Sequence, residues 1–176
     1  MTAAAKQAKI VVLMRVKISV GLALLAIVIA AILIFFPRQT APEVRFTALS
    51  GENFSTSELR GKVILVNFWA TYCSSCLQEM PKIVATHNKF APRGYETVAV
   101  AVWRDHPGRV ARFAASGALP FKVALDTSGE AAMRFGNVRL TPTTFLIDRQ
   151  GYVVKSYRGE PDWAELHQLV ERALGS

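Results

Sequence analysis

The chain has 176 residues, 51% of them hydrophobic, and a formal net charge of +8. That length holds one domain with a sizeable buried core plus a smaller segment. Five of its 21 basic residues and no acid fall in the first 40 positions, so the remainder carries only +3, which speaks against the dense basic face of a nucleic-acid binder.

The first element is Ile18 to Phe36, 19 residues without charge or proline. As a helix it would be about 28 Å long, close to the hydrocarbon thickness of a bilayer. Lys6, Lys9, Arg15 and Lys17 precede it and only Arg38 follows closely. That asymmetry predicts residues 1–17 in the cytoplasm, a transmembrane anchor over 18–36 and the rest of the chain outside. A cleaved signal peptide is the competing reading. Signal cores are shorter and end at a small-residue site, and "FFPRQTAP" offers none. Residues 37–42, with a proline at each end, read as a linker, and 43–176 as a single domain.

The domain opens with two extended stretches around Ser50-Gly51, a predicted hairpin. Lys62 to Ala70 is short, β-branched and apolar on both faces, like a central buried strand. A helix follows the cysteine pair, with Leu77, Met80, Val84 and Ala85 at helical spacing and Pro81 as a kink. Tyr95 to Trp103 reads as a second buried strand, and Pro107 to Gly117 as a helix. "FKVALD" reads as a short strand and "SGEAAMRFG" as a short helix closed by Gly136. Thr143–Ile147 and Tyr152–Tyr157 form the clearest hairpin. A closing helix over 161–174 turns Trp163, Leu166, Leu169, Val170 and Ala173 inward. Strands alternating with helices predict an α/β fold: a mostly parallel central sheet with an antiparallel edge, covered by helices. Reactive sites in such sheets lie outside the carboxyl ends of the strands.

The only two cysteines, Cys73 and Cys76, fall at that end. Three apart at a helix start, their sulfurs share a face and can reach disulfide distance. Reduced, Cys73 would sit among unpaired N–H groups near the positive end of the helix dipole, which favours a thiolate. Cys76, further in, would be the resolving thiol. Two other readings compete. A structural zinc needs about four ligands, but there is no second CxxC, and His87, His106 and His167 show no paired spacing. A structural disulfide closing so short a loop constrains little chain entropy.

"VNFWATYCSSCLQEMP", "LTPTTFLIDRQG" and "LSGENFSTSELRGKVILVNFWA" together resemble the TlpA/ResA group of membrane-anchored thiol:disulfide oxidoreductases, in the thioredoxin superfamily. The likeness runs from about residue 43 to 174. It implies a thioredoxin-like fold: a central mixed sheet flanked by helices, with an N-terminal β-hairpin and an N-terminal transmembrane helix. It also implies roles. Cys73 attacks and Cys76 resolves. Pro142 is a cis-proline beside the pair, and Thr141 pairs with an extended substrate. Trp69 forms part of the surface by the cysteines, against the alternative of strand-end packing. Glu79 matches the group's acidic position one turn past Cys76 and would exchange the proton of Cys76, against the alternative of a solvated glutamate. Asn67 stands where thioredoxin has a buried aspartate and cannot titrate, as is usual in the group. Ser74-Ser75 contains no histidine, the feature of strongly oxidising relatives, which favours a reductant.

The resemblance further implies no cofactor, a disulfide-bearing client protein, a membrane electron donor and a monomer held in the inner membrane with its domain in the periplasm. Clients would include apocytochrome c or copper-site proteins. Two other functions remain open: a disulfide-donating oxidase, and a thiolate metal-binding module without turnover. Trp103 to Arg109 either lines the substrate groove or starts a helix through Asp105, His106 and Pro107. His87 and His167 read as surface residues.

Overall fold

The structure, a computed structural model, describes residues 15, 17, 20, 21, 24–29 and 38–175. The chain divides into two compact units, 1–38 and 39–176. In the first, the expected anchor over 18–36 lies for the most part outside the described residues. Those of it that are described, 20, 21 and 24–29, are helical. Leu24, Leu25, Ile27, Val28 and Ile29 are exposed. Among the described residues no helix is long and apolar enough to cross a membrane.

The second unit begins with a hairpin, β1 (Arg45–Thr47) and β2 (Asn53–Ser55), paired antiparallel. There follow β3 (Val63–Trp69), α1 (Ser74–Phe90), a 3-10 turn at Ala91–Arg93 and β4 (Tyr95–Ala101). Next come α2 (Pro107–Ser116), β5 (Lys122–Leu125) and α3 (Glu130–Arg134). The chain closes with β6 (Thr143–Ile147), β7 (Val153–Arg158) and α4 (Trp163–Gly175). The five-stranded sheet runs β5-β4-β3-β6-β7. β3, β4 and β5 are mutually parallel, β6 is antiparallel to β3, and β7 is antiparallel to β6. This is the mixed thioredoxin-like sheet the resemblance implies.

β3 is buried along its whole length because both of its faces are covered. Val63, Leu65 and Trp69 share one core with residues of α1, α2 and α4. Ile64, Val66 and Phe68 share the other with the hairpin and α3. The period-2 alternation of a strand therefore splits one apolar run between two cores.

The inner face of α1 differs from the expected one. It is Cys76, Glu79, Met80, Ile83, Thr86, His87 and Phe90, while Val84 is half-buried and Ala85 exposed. The helix is thus rotated so that a glutamate and a histidine point inward. His87 is a correction to the surface reading. It is 8% exposed, and Nδ1 lies 3.2 Å from the Thr97 hydroxyl on β4. His167 is half-buried, with Nε2 2.9 Å from the Thr86 hydroxyl, joining α4 to α1.

Candidate active site

β3 delivers the chain to the carboxyl end of the sheet, and the loop Ala70–Tyr72 hands it to α1. Cys73 is the N-cap of that helix, in extended backbone conformation. It is bonded to Cys76 across a Cα–Cα distance of 5.2 Å. The Cys76 N–H, one of the unpaired donors of the first turn, donates to Cys73 Sγ at 3.2 Å. The Ser75 hydroxyl lies 3.4 Å from the same sulfur. Cys73 is half-buried and Cys76 fully buried, so only the first sulfur meets solvent. An oriented N–H and the positive end of a 17-residue helix therefore converge on the accessible sulfur.

Across the cleft stands the loop before β6. The Thr141-Pro142 peptide is cis, and the Thr141 carbonyl oxygen is 3.5 Å from Cys73 Sγ. The loop is held at both sides. The Thr143 hydroxyl donates to the Leu140 carbonyl at 2.8 Å, and the Gly159 N–H donates to the Pro142 carbonyl at 2.8 Å.

Behind the disulfide lies a buried polar chain. Asn67 Nδ2 donates to Glu79 Oε1 at 2.9 Å and to the Thr144 hydroxyl at 3.0 Å. Glu79 is 0% exposed and three residues beyond Cys76, on the same face of α1. Its Oε2 has no partner, and neither has Asn67 Oδ1. Burial pushes the carboxyl up to about 7; the Asn67 bond opposes that, the Glu160 charge adds to it, and Lys82 draws it down. A solvated glutamate is excluded by this burial. A carboxyl poised near neutrality, one helical turn from Cys76, has the chemistry of a proton acceptor or donor.

Trp69 stands elsewhere than expected. It is 0% exposed at the end of β3, its ring 5.2 Å from that of Phe113. The strand's alternation puts it under α1 and α2, so it packs the core and offers no surface to a substrate. The exposed aromatics near this end are Tyr72, beside Cys73, and Trp103, after β4.

Asp105 belongs to the stretch expected either to line the substrate groove or to start a helix. His106 is in fact the N-cap of α2, its Nδ1 accepting from the Gly108 N–H at 3.1 Å. Asp105 instead reaches back to the Cys73 loop, accepting from the Thr71 hydroxyl at 2.7 Å and from the Thr71 N–H. It also accepts from the His106 N–H at 2.8 Å, and Arg109 lies 3.6 Å away. The parallel register, with Trp69 opposite Ala101, was the signal available for it: residues just past β4 must lie beside residues just past β3. Among the described residues no group of three or more His, Cys, Asp or Glu is placed to hold a metal ion.

Comparison with known proteins places this geometry. Residues 37–171 match the Redoxin family. The thiol-disulfide oxidoreductase ResA of Bacillus thuringiensis subsp. konkukian is 32% identical over 132 residues, 75% of each chain. ResA of Bacillus subtilis is 33% identical over 130 residues, 74% of this chain and 72% of the relative. Among solved structures, a thiol:disulfide interchange protein of the thioredoxin family from Chlorobium tepidum superposes with a TM-score of 0.72 at 30% identity, covering 80% of this chain and 99% of that one.

Proposed function

From the premise that the chain belongs to the Redoxin family, and within it to the ResA-type thiol-disulfide oxidoreductases, we propose that Cys73 and Cys76 are its redox pair and that it reduces disulfides of exported client proteins. The observation that carries this is the pairing of an accessible N-cap sulfur, which receives a backbone N–H, with a buried partner one turn on.

The exchange proceeds in two displacements. The Cys73 thiolate attacks one sulfur of the client disulfide. That S–S bond breaks, a Cys73–client bond forms, and the departing client thiolate takes a proton. Cys76 then loses its proton to the Glu79 carboxylate and attacks Cys73 Sγ. The mixed disulfide breaks, the second client sulfur leaves as thiolate, and two electrons have passed from the pair to the client. The Thr141 carbonyl, 3.5 Å from Cys73 Sγ, lies where an extended client backbone would donate a hydrogen bond. Asn67 orients the Glu79 carboxyl, and Thr144 orients Asn67.

The Ser74-Ser75 gap, which lacks the histidine of strongly oxidising relatives, favours the reducing direction. The anchor over 18–36, with residues 1–17 in the cytoplasm and the domain in the periplasm, rests on the apolar run and its basic flank. In that setting the reductant is a membrane electron-donor protein, and the clients are exported proteins whose cysteines must be free for haem or copper, such as apocytochrome c.

Trapping tests the reading. Cys76→Ser in the full chain should accumulate a mixed disulfide between Cys73 and a client, absent when Cys73 is also replaced. A redox titration tests the direction: a value near about −270 mV suits a reductant, and one near about −120 mV an oxidant.

A further inference from the structure

A cavity of about 440 Å³ opens beside the Thr141-Pro142 loop, away from the Glu79 side. Its apolar lining comes from Phe135, Val138, Leu140 and Phe145. Arg139 and Arg158 also line it, and no carboxylate does. Among the described residues neither arginine is engaged in a salt bridge.

Both arginines sit on backbone fixed beside the Thr141-Pro142 loop, and the Arg139 guanidinium is restrained as well. Arg139 follows a left-handed turn at Gly136 and Asn137, with φ of 89° and 60°. That turn is closed by the Asn137 N–H to the Met133 carbonyl at 3.0 Å and by the Val138 N–H to the Ala132 carbonyl at 2.8 Å. With its amide turned to accept, Asn137 takes bonds from Arg139 Nε and Nη2 at 3.2 and 3.0 Å, which restrains the guanidinium. Arg158 pairs across the sheet with Thr143, the residue after Pro142. The next residue, Gly159, donates to the Pro142 carbonyl. The cavity is therefore lined by Leu140 and Thr143, the residues that flank the Thr141-Pro142 pair facing Cys73 Sγ.

We infer that this cavity is a client subsite. It takes an apolar side chain and a neighbouring carboxylate from the stretch of client protein adjoining the cysteine that Cys73 attacks. The inference rests on the redox reading above and adds the class of client. Charge complementarity selects the occupant. An apolar lining accepts an aliphatic or aromatic side chain, while a guanidinium restrained by one amide still offers a planar fork to a carboxylate. A second copy of this chain is a poor match, since the residues beyond position 40 are themselves net basic.

The test uses the reduced full chain and three disulfide-linked peptides, identical except for Leu-Glu, Leu-Gln or Leu-Lys on both sides of the cysteine. The acidic peptide should be reduced at least about fivefold faster at low salt, the advantage shrinking as salt rises. In the Arg139→Gln/Arg158→Gln variant the two rates should converge. In Arg139→Glu/Arg158→Glu a Leu-Lys peptide should become the fastest. Equal rates on the Leu-Glu and Leu-Gln peptides, or a preference that survives both variants, would overturn the subsite and leave the redox reading standing. Failure to reduce any of the peptides would sink the redox reading and the subsite with it.

Discussion

The carboxylate of Asp105 holds Thr71 by both its N–H and its hydroxyl, tying the loop after β4 to the loop that carries Cys73. The two residues are 34 positions apart and meet because β3 and β4 are parallel neighbours ending at the same level. Asp105 never touches the sulfurs; it fixes the turn from which Cys73 enters α1. Asp105→Ala leaves the Thr71 donors without their acceptor in a half-buried loop, a loss of about 1–3 kcal/mol. Urea unfolding should register that loss. The alkylation rate of Cys73 should fall in the folded variant, which a purely structural role would leave unchanged.

Glu79 makes stability depend on pH in a stated direction. Its ordinary value is near 4.5, and burial raises it to about 7 in the folded chain. Below 4.5 both states hold the proton and the site costs nothing. Between the two values the unfolded chain ionises first, so stability falls as pH rises, and above 7 the loss is complete. The shift corresponds to about 3 kcal/mol. Glu79→Gln should therefore gain stability relative to the natural chain between pH 4 and pH 9, measured on the oxidised protein. It should also slow release of the mixed disulfide by about 10²-fold, the usual worth of a positioned acid or base. A stability difference that stays flat with pH would mean the carboxyl is not held protonated by burial.

His87 acts with the opposite sign. Desolvation lowers its value below the ordinary 6.5, with the Glu96 charge opposing and Lys62 adding. The unfolded chain takes up the proton first as pH falls, so stability present above 6.5 is lost on acidification. His87→Gln should flatten the dependence of the urea midpoint on pH between 6.5 and 5. An unchanged slope would show that His87 protonates without cost in the folded chain.

Much of this fold was legible from patterning, and the exceptions share a cause. β3 and β4 are largely apolar runs rich in β-branched residues, and β6–β7 is bracketed by Asp148 and Gly151 at its turn. Each of these is a local signal. The inner face of α1 was misread because hydrophobic periodicity does not count Glu79, Thr86 or His87, which are polar yet buried. Their burial depends on partners from β3, β4 and α4. That Cys73 and Cys76 can bond was legible from their spacing. Asp105 was not, since its partner lies on another strand's exit. Trp69 was assigned to the surface by resemblance, although the alternation of its own strand, with Val63, Leu65 and Trp69 on one face, points it into the core.

The Cys73–Cys76 bond spans a separation of only three residues. Closing so short a loop stabilises by no more than about 2 kcal/mol in the chain-entropy account. Reduction should therefore leave the domain folded, its urea midpoint moved by no more than that energy. Cooperative unfolding on addition of dithiol would mean the bond is structural and not a redox pair.

The most direct test of the central claim is the rate of alkylation of each cysteine in the reduced full chain as a function of pH. Cys73 should react first, with an apparent value below the roughly 8.5 of a free thiol, and Cys76 should remain protected near neutral pH. Reaction of Cys73 no faster than an ordinary thiol, or earlier reaction at Cys76, would contradict an N-cap thiolate as the attacking group.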